Sequence, residues 1–416
     1  MARSAPAARL GVGKALVLAL MTSLYLGHDA RGATLKADYG FNDTRASSVP
    51  GSPDLTDIDS DPQTGPGHDN FFATETVAGT PRRVLTFPQG NGLSVSTAGV
   101  IPDNSYTIAV LFRFNDIDSY RRIIDFKSGT TDIGLYNRSG ALSFFGWATG
   151  TGTPITPSAA NDPYHEVLLS RDALGLVIGF VDGVEQFRFN DVRGRAVIGP
   201  ARTLTFFKDD AQVSSEESAG AVANIRLYEG PVVPPPVLGE TVNLAAVRGK
   251  VRVAAPGSKR FLSLTGGTQI PVGSVVDTRR GKVRLTSAVN KRGKTQTGRF
   301  SGGLFKLRQA PRAGAVTEVA LTGGNFRSCA RGRLALRGAR SGPIRRVFSV
   351  AARRSRFRSR GRYSAATVRG TKWLTLDRCD GTLTRVIQGT VAVRDFARRR
   401  TVLVRAGQSY LARAPR

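Results

Sequence analysis

Across 416 residues, 60 Lys and Arg stand against 31 Asp and Glu, and the resulting formal charge of +29 is confined to one end of the chain. Residues 1–239 carry 20 basic and 25 acidic side chains, whereas residues 240–416 carry 40 and 6. That split excludes one job spread evenly along the chain, and it gives the second part a positive field that collects polyanions.

The N-terminus has the layout of a secretory signal peptide. Arg3, Arg9 and Lys14 precede an apolar run over residues 15–26, and the small residues Ala30 and Gly32 come before Ala33. About 12 apolar residues are too few for a bilayer that needs ~20, so residues 1–32 read as cleaved and the mature chain as secreted or held in the cell envelope. About 380 remaining residues exceed what one core organises. The boundary reads as a stiff, extended linker over residues 231–239, which contain Pro231, Pro234, Pro235 and Pro236.

Residues 33–230 carry strand signals throughout. Residues 106–114 (YTIAVLFRF) and 121–126 (RRIIDF) are apolar and β-branched, and residues 133–136 pair with 141–145 across 137–140. Residues 176–181 join 184–189 through Asp182-Gly183, a dipeptide that tolerates the positive φ angles of a type I′ turn. No window sustains a 3.6-residue period, so the segment reads as an all-β sandwich. The order DYGFND (38–43), LTFPQGNGLSV (85–95), SYTIAVLFRF (105–114), RRIIDF, the VDGV hairpin and AGAVANIRLYEG (219–230) resembles laminin-G-like, concanavalin A-like jelly rolls. The resemblance implies an extracellular module that recognises carbohydrate or protein, often with calcium at one sandwich edge.

Catalytic patterns are incomplete. No Glu begins the paired-carboxylate pattern of sandwich hydrolases, and Glu216-Glu217 read as a solvated loop. His165-Glu166 opens a zinc motif that fails at Leu169, and Gly293-Lys294-Thr295 lacks the earlier glycine of a phosphate loop, where Ala288 stands. With only His68 and His165 beyond the leader, a His-dependent triad has little material, and the chain is expected to be no enzyme. Asp209 and Asp210 follow a strand at residues 204–207 and are candidate ligands for calcium, with a charged turn as the competing reading. Of Phe144, Phe145 and Trp147, the last two are candidate stacking residues for a sugar or peptide ligand, with core packing the competing role for at least two of the three.

Residues 240–416 read as a smaller β domain. Residues 247–254 and 280–288 share the string Arg-Gly-Lys-Val-Arg, alternating apolar with basic, and the alternation returns in 383–393 and 401–404. Residues 331–362 are Arg-rich and poor in apolar side chains, which reads as a long loop or arm. Within it Arg353, Arg354, Arg356, Arg358 and Arg360 are candidate polyanion contacts. Three segments, IPVGSVVDT (270–278), ATVRGTKWL (366–374) and GTVAVRDFARRRTVLVRAGQSY (389–410), resemble the FecR-like domain of envelope signalling proteins, with Ser274 where the family has Asp. That family relays signals through a spanning helix which this chain lacks beyond its leader, so an anchoring role is expected, with an anionic cell-wall polymer as partner. A signalling component or a protein holding extracellular nucleic acid is the alternative, although weak aromatic content and the absence of a recognition helix argue against specific nucleic-acid binding. Cys329 and Cys379 have no C-x-x-C spacing, so in a secreted chain they are expected to form one disulfide.

Overall fold

The structure is a computed structural model that describes residues 33–415, apart from 66, 152–154, 161–162, 211–214, 265, 327–328, 330–344, 352–354 and 369–370. The leader reading over residues 1–32 lies outside the described residues. The regular elements of the described chain are β-strands, and the chain divides into two compact units at Gly230/Pro231.

The first unit is a two-sheet sandwich. Strands are numbered in chain order. One sheet runs β13 (Val184–Asn190), β12 (Leu176–Val181), β11 (His165–Arg171), β6 (Tyr106–Phe114), β15 (Gly220–Glu229), β4 (Thr80–Phe87) and β3 (Phe71–Val77), with β1 (Thr34–Tyr39) also on β15. The facing sheet runs β10 (Ala148–Thr149), β9 (Ala141–Phe144), β8 (Gly134–Arg138), β7 (Tyr120–Asp125), β14 (Thr203–Phe206), β5 (Gly92–Ser96) and β2 (Thr56–Ile58). Alternate residues of β6 (Ile108, Val110, Phe112, Phe114) meet Ile124, Leu135, Phe144 and Phe206 of the other sheet in one core, as period-2 alternation requires.

The β12–β13 hairpin turns at Asp182 (φ 48°) and Gly183 (φ 76°), the geometry expected from the dipeptide. The β8–β9 hairpin is tighter than the sequence reading: Asn137 and Arg138 continue the strand, and Ser139 (φ 46°) with Gly140 (φ 84°) make the turn.

The second unit is one folded sheet. Its long antiparallel strands β16 (Thr241–Ala254) and β19 (Val275–Ala288) pair along most of their length, and β17 (Leu262–Ser263) and β18 (Gly267–Pro271) pair with β16. From β19 the order continues one way through β20 (Thr295–Ser301), β23 (Arg345–Ala351), β26 (Thr371–Arg378), β27 (Gly381–Gln388) and β30 (Ser409–Arg413). The other way it continues through β21 (Leu304–Arg308), β22 (Thr317–Leu321), β24 (Phe357–Arg360), β25 (Ser364–Val368), β28 (Thr390–Asp395) and β29 (Thr401–Arg405). Gly389 (φ 77°) splits the strand expected over 383–393 into β27 and β28.

The arm expected over residues 331–362 needs correction. Residues 330–344 and 352–354 lie outside the described residues, but β23 and β24 place 345–351 and 357–360 in the sheet. Val347, Ser349, Ala351, Phe357 and Ser359 all turn inward and are buried, while the outward positions hold Arg346, Phe348 and Val350 in β23 and Arg358 and Arg360 in β24. Three of these five, Ser349, Ala351 and Ser359, are small or polar, so low apolarity concealed a period-2 pattern. Cys329 and Cys379 form the expected disulfide, with an S–S distance of 2.08 Å, and Cys379 sits just beyond the end of β26.

Candidate functional site

The two Arg-Gly-Lys-Val-Arg strings pair with each other. In the β16–β19 ribbon Arg248 stands opposite Lys282, Gly249 opposite Gly281, and Lys250 opposite Arg280. The central glycines permit a very close backbone approach: a Cβ on Gly249 (φ 68°) would lie 2.3 Å from the Arg280 carbonyl oxygen, and one on Gly281 would lie 2.7 Å from that of Lys250. The alternating positions thus carry two cross-strand pairs of cations, an arrangement that repels across the ladder. Arg248, Lys250 and Arg280 are exposed and Lys282 is half-buried. Asp277, the only carboxylate of the ribbon, is engaged by Arg252 at 2.8 Å and by Arg279 at 2.8 Å. Those hydrogen bonds, Arg279's first, hold the Asp277 carboxyl well below the usual range. The ribbon is the candidate polyanion site, and its signal in the sequence was the repeated string itself.

The five arginines singled out from the sequence are distributed differently. Arg353 and Arg354 lie outside the described residues. Arg356 donates from Nη1 to the Gly314 carbonyl at 2.8 Å. Arg358 and Arg360, with Arg308, surround the nearly buried Glu318 at 3.7, 3.8 and 3.7 Å. Beside them a cavity of about 760 Å³ is lined by Lys306, Arg308, Arg312, Arg358 and Glu318, a second cationic surface whose charge is partly neutralised.

In the first unit Asp209 and Asp210 face inward onto an arginine. Arg122 is fully buried; its Nε donates to Asp209 Oδ1 at 2.8 Å and its Nη2 to Asp210 Oδ2 at 2.5 Å, with Asp125 at 3.2 Å and the Tyr136 ring 4.5 Å away. The guanidinium therefore occupies the position where the sequence reading put calcium. Carboxylates outnumber it, and burial foremost raises the pKa values of Asp125, Asp132, Asp209 and Glu216. Glu216-Glu217 are half-buried, and Glu217 accepts from Lys208 at 2.7 Å, so the solvated-loop reading is corrected.

Phe145 and Trp147 serve different neighbours. Phe145 packs against Tyr120 and Tyr136, while Trp147 is 40% exposed and carries the Arg195 guanidinium 3.3 Å above its ring. His165 opens β11 and links three elements: Nδ1 is 2.7 Å from Asp182 Oδ2, and Nε2 is 2.8 Å from the Thr156 hydroxyl. This hydroxyl–imidazole–carboxylate row was missed because the three residues are 9 and 17 positions apart. Nε2 also accepts the Thr156 backbone N–H at 3.1 Å, so its lone pair is already engaged in tying down the loop.

One cavity had no sequence signal. It encloses about 780 Å³ on the sheet face opposite the main core, floored by Val77, Ala78 and Leu111 and edged by Asp38, Asn224 and Arg226. These residues come from β1, the end of β3 and the turn after it, β6 and β15, which only the sheet order brings together.

No protein-family model matches the chain, and no curated protein matches it. Among solved structures it is similar to domain 4 of AbnA, a GH43 extracellular arabinanase from Geobacillus stearothermophilus, in complex with arabinotriose, at 18% identity and a TM-score of 0.35 over 49% of this chain and 96% of that one. It is also similar to the binding domain of Paraclostridial Mosquitocidal Protein 1, at 8% identity and a TM-score of 0.35 over 91% of each chain. A third similarity is to the binding domain of botulinum neurotoxin DC in complex with rat synaptotagmin II, at 9% identity and a TM-score of 0.32 over 91% of this chain and 92% of that one. These likenesses are remote, and the functional reading rests on the chain's own residues.

Proposed function

We propose that the protein is a non-enzymatic, secreted or envelope-bound binding protein in which a laminin-G-like sandwich recognises carbohydrate or protein and a basic, FecR-like unit holds anionic envelope polymers. The observation that carries this reading is the β16–β19 ribbon, where Arg248, Lys250, Arg280 and Lys282 are set against each other in two like-charge pairs. A polyanion laid along them relieves that repulsion and releases its own counterions. For the sandwich, support comes from the cavity over Leu111: its volume falls within the range of about 300–1,000 Å³ of small-ligand sites, and it combines an apolar floor with a few polar edges.

Soluble polyphosphate is the direct probe of the basic unit. The mature chain binds it at low salt and loses it as salt rises, while neutral dextran is ignored. Binding to a glycan array in about 1 M salt, where the Debye length is ~3 Å, isolates the ligand of the sandwich.

A further inference from the structure

The outer face of the sheet branch through β20, β23, β26, β27 and β30 is amphipathic in a way the ribbon is not. Cross-strand register places Phe348 beside Leu374, and Leu376 beside Leu383, which in turn pairs with Leu411. All five are half-buried on the outer face, and Val350 (39%) and Ile387 (44%) are exposed at their margin. Cations rim this aliphatic strip. Arg299 stands opposite Val350, Val350 opposite Lys372, Arg346 opposite Leu376, and Leu374 opposite Arg385. The five strands contain one carboxylate, Asp377, and it is fully buried on the other face, where it accepts from the Arg362 backbone N–H and the Thr382 hydroxyl.

We propose that this face docks on an anionic lipid surface. A contiguous apolar strip with a polar rim marks an interaction site, and the rim selects the partner. A soluble polyanion satisfies Arg299, Lys372, Arg346 and Arg385 but gives Leu376 and Leu383 nothing to bury against. A second copy of the chain covers the leucines but sets guanidinium against guanidinium. An acidic bilayer supplies both, phosphates to the rim and the apolar boundary beneath the headgroups to the strip.

Flotation of the mature chain with phosphatidylcholine vesicles, with and without about 30% phosphatidylglycerol, tests the proposal. The expected result is binding at least about tenfold stronger to the acidic vesicles. Two variant sets separate the surfaces. Leu376→Ser with Leu383→Ser is expected to reduce vesicle binding about tenfold, by analogy with lost buried methylenes, and to leave polyphosphate binding unchanged. Val350→Ser with Ile387→Ser, at more exposed positions, provides the same test should the first pair unfold the sheet. Arg248→Gln with Lys250→Gln on the ribbon is expected to weaken polyphosphate binding while the preference for acidic vesicles remains, so failure of the polyanion reading is distinguishable from failure of this one. Equal binding to neutral and acidic vesicles, no vesicle binding by the wild type, undiminished binding by a folded serine variant, or a dimer that the serine pair dissolves overturns the proposal.

Discussion

The indole N–H of Trp373 donates to the Ser359 hydroxyl at 2.8 Å, and both side chains are fully buried. Ser359 in turn lies 2.5 Å from the Thr375 hydroxyl. Together they join β24 to β26 through the interior of the second unit, where Phe300 meets Phe357 with ring centroids 5.4 Å apart. The Arg-rich segment therefore holds a core with the residues between its arginines.

Phe357→Ala is accordingly expected to destabilise the second unit by about 3–5 kcal/mol, the usual range for emptying a buried phenyl site. Arg358→Gln alone costs less than about 1 kcal/mol, because its partner Glu318 keeps Arg308 and Arg360 nearby. Urea unfolding of the two variants checks the contrast; equal losses contradict it.

Arg122 is the guanidinium set among the buried carboxylates Asp125, Asp209 and Asp210. Arg122→Met removes the cation beside the buried Asp125 and Asp209 carboxylates and is expected to cost about 3–5 kcal/mol at neutral pH. The variant regains stability on acidification, since protonation removes the uncompensated charge. Thermal unfolding at acidic and neutral pH measures it, and a loss independent of pH contradicts this account.

Asp172 offers a cleaner titration. It is buried, and burial pushes its carboxyl up to about 6, although Oδ1 accepts the Leu174 and Leu176 N–H groups at 2.9 Å each. A raised acid pKa means that the folded state binds the proton more tightly. Its contribution is therefore most favourable below the unfolded value of 3.8 and is lost as pH rises through about 6, by roughly 3 kcal/mol in all. Asp172→Asn keeps an acceptor at Oδ1 and removes the charge, while the wild-type Oδ2 has no hydrogen-bond partner among the described residues. The variant is expected to be more stable than the wild type near neutral pH and no better at pH 4; denaturant melts at both pH values decide.

The Cys329–Cys379 bond closes a sequence separation of 50 residues. Cys329→Ser with Cys379→Ser is expected to cost roughly 4 kcal/mol. Adding reductant to the wild type should reproduce that loss, and a reductant-insensitive melt contradicts it.

Much of this was legible because strand period and turn chemistry are local. The Asp182-Gly183 turn, the 106–114 strand and the lone cysteine pair need no distant information. The misreadings share one cause: long-range pairing decided them. Asp209 and Asp210 look like a cation site until β7 brings Arg122 beneath them, and residues 345–360 look like an arm until Trp373 and Phe300 close over Ser359 and Phe357. The cavity over Leu111 is built by β1, β6 and β15, which sequence order keeps far apart. The twin Arg-Gly-Lys-Val-Arg strings were visible, but that they face each other was not.

The salt dependence of polyphosphate binding tests the central claim most directly. For the mature chain, log affinity is expected to fall linearly with log salt, and replacing Arg248, Lys250, Arg280 and Lys282 with Gln should flatten that slope by about 0.7–0.9 for each phosphate the variant no longer neutralises. No binding by the wild type at low salt, or an unchanged slope in the folded four-site variant, contradicts the assignment of the β16–β19 ribbon as the polyanion site.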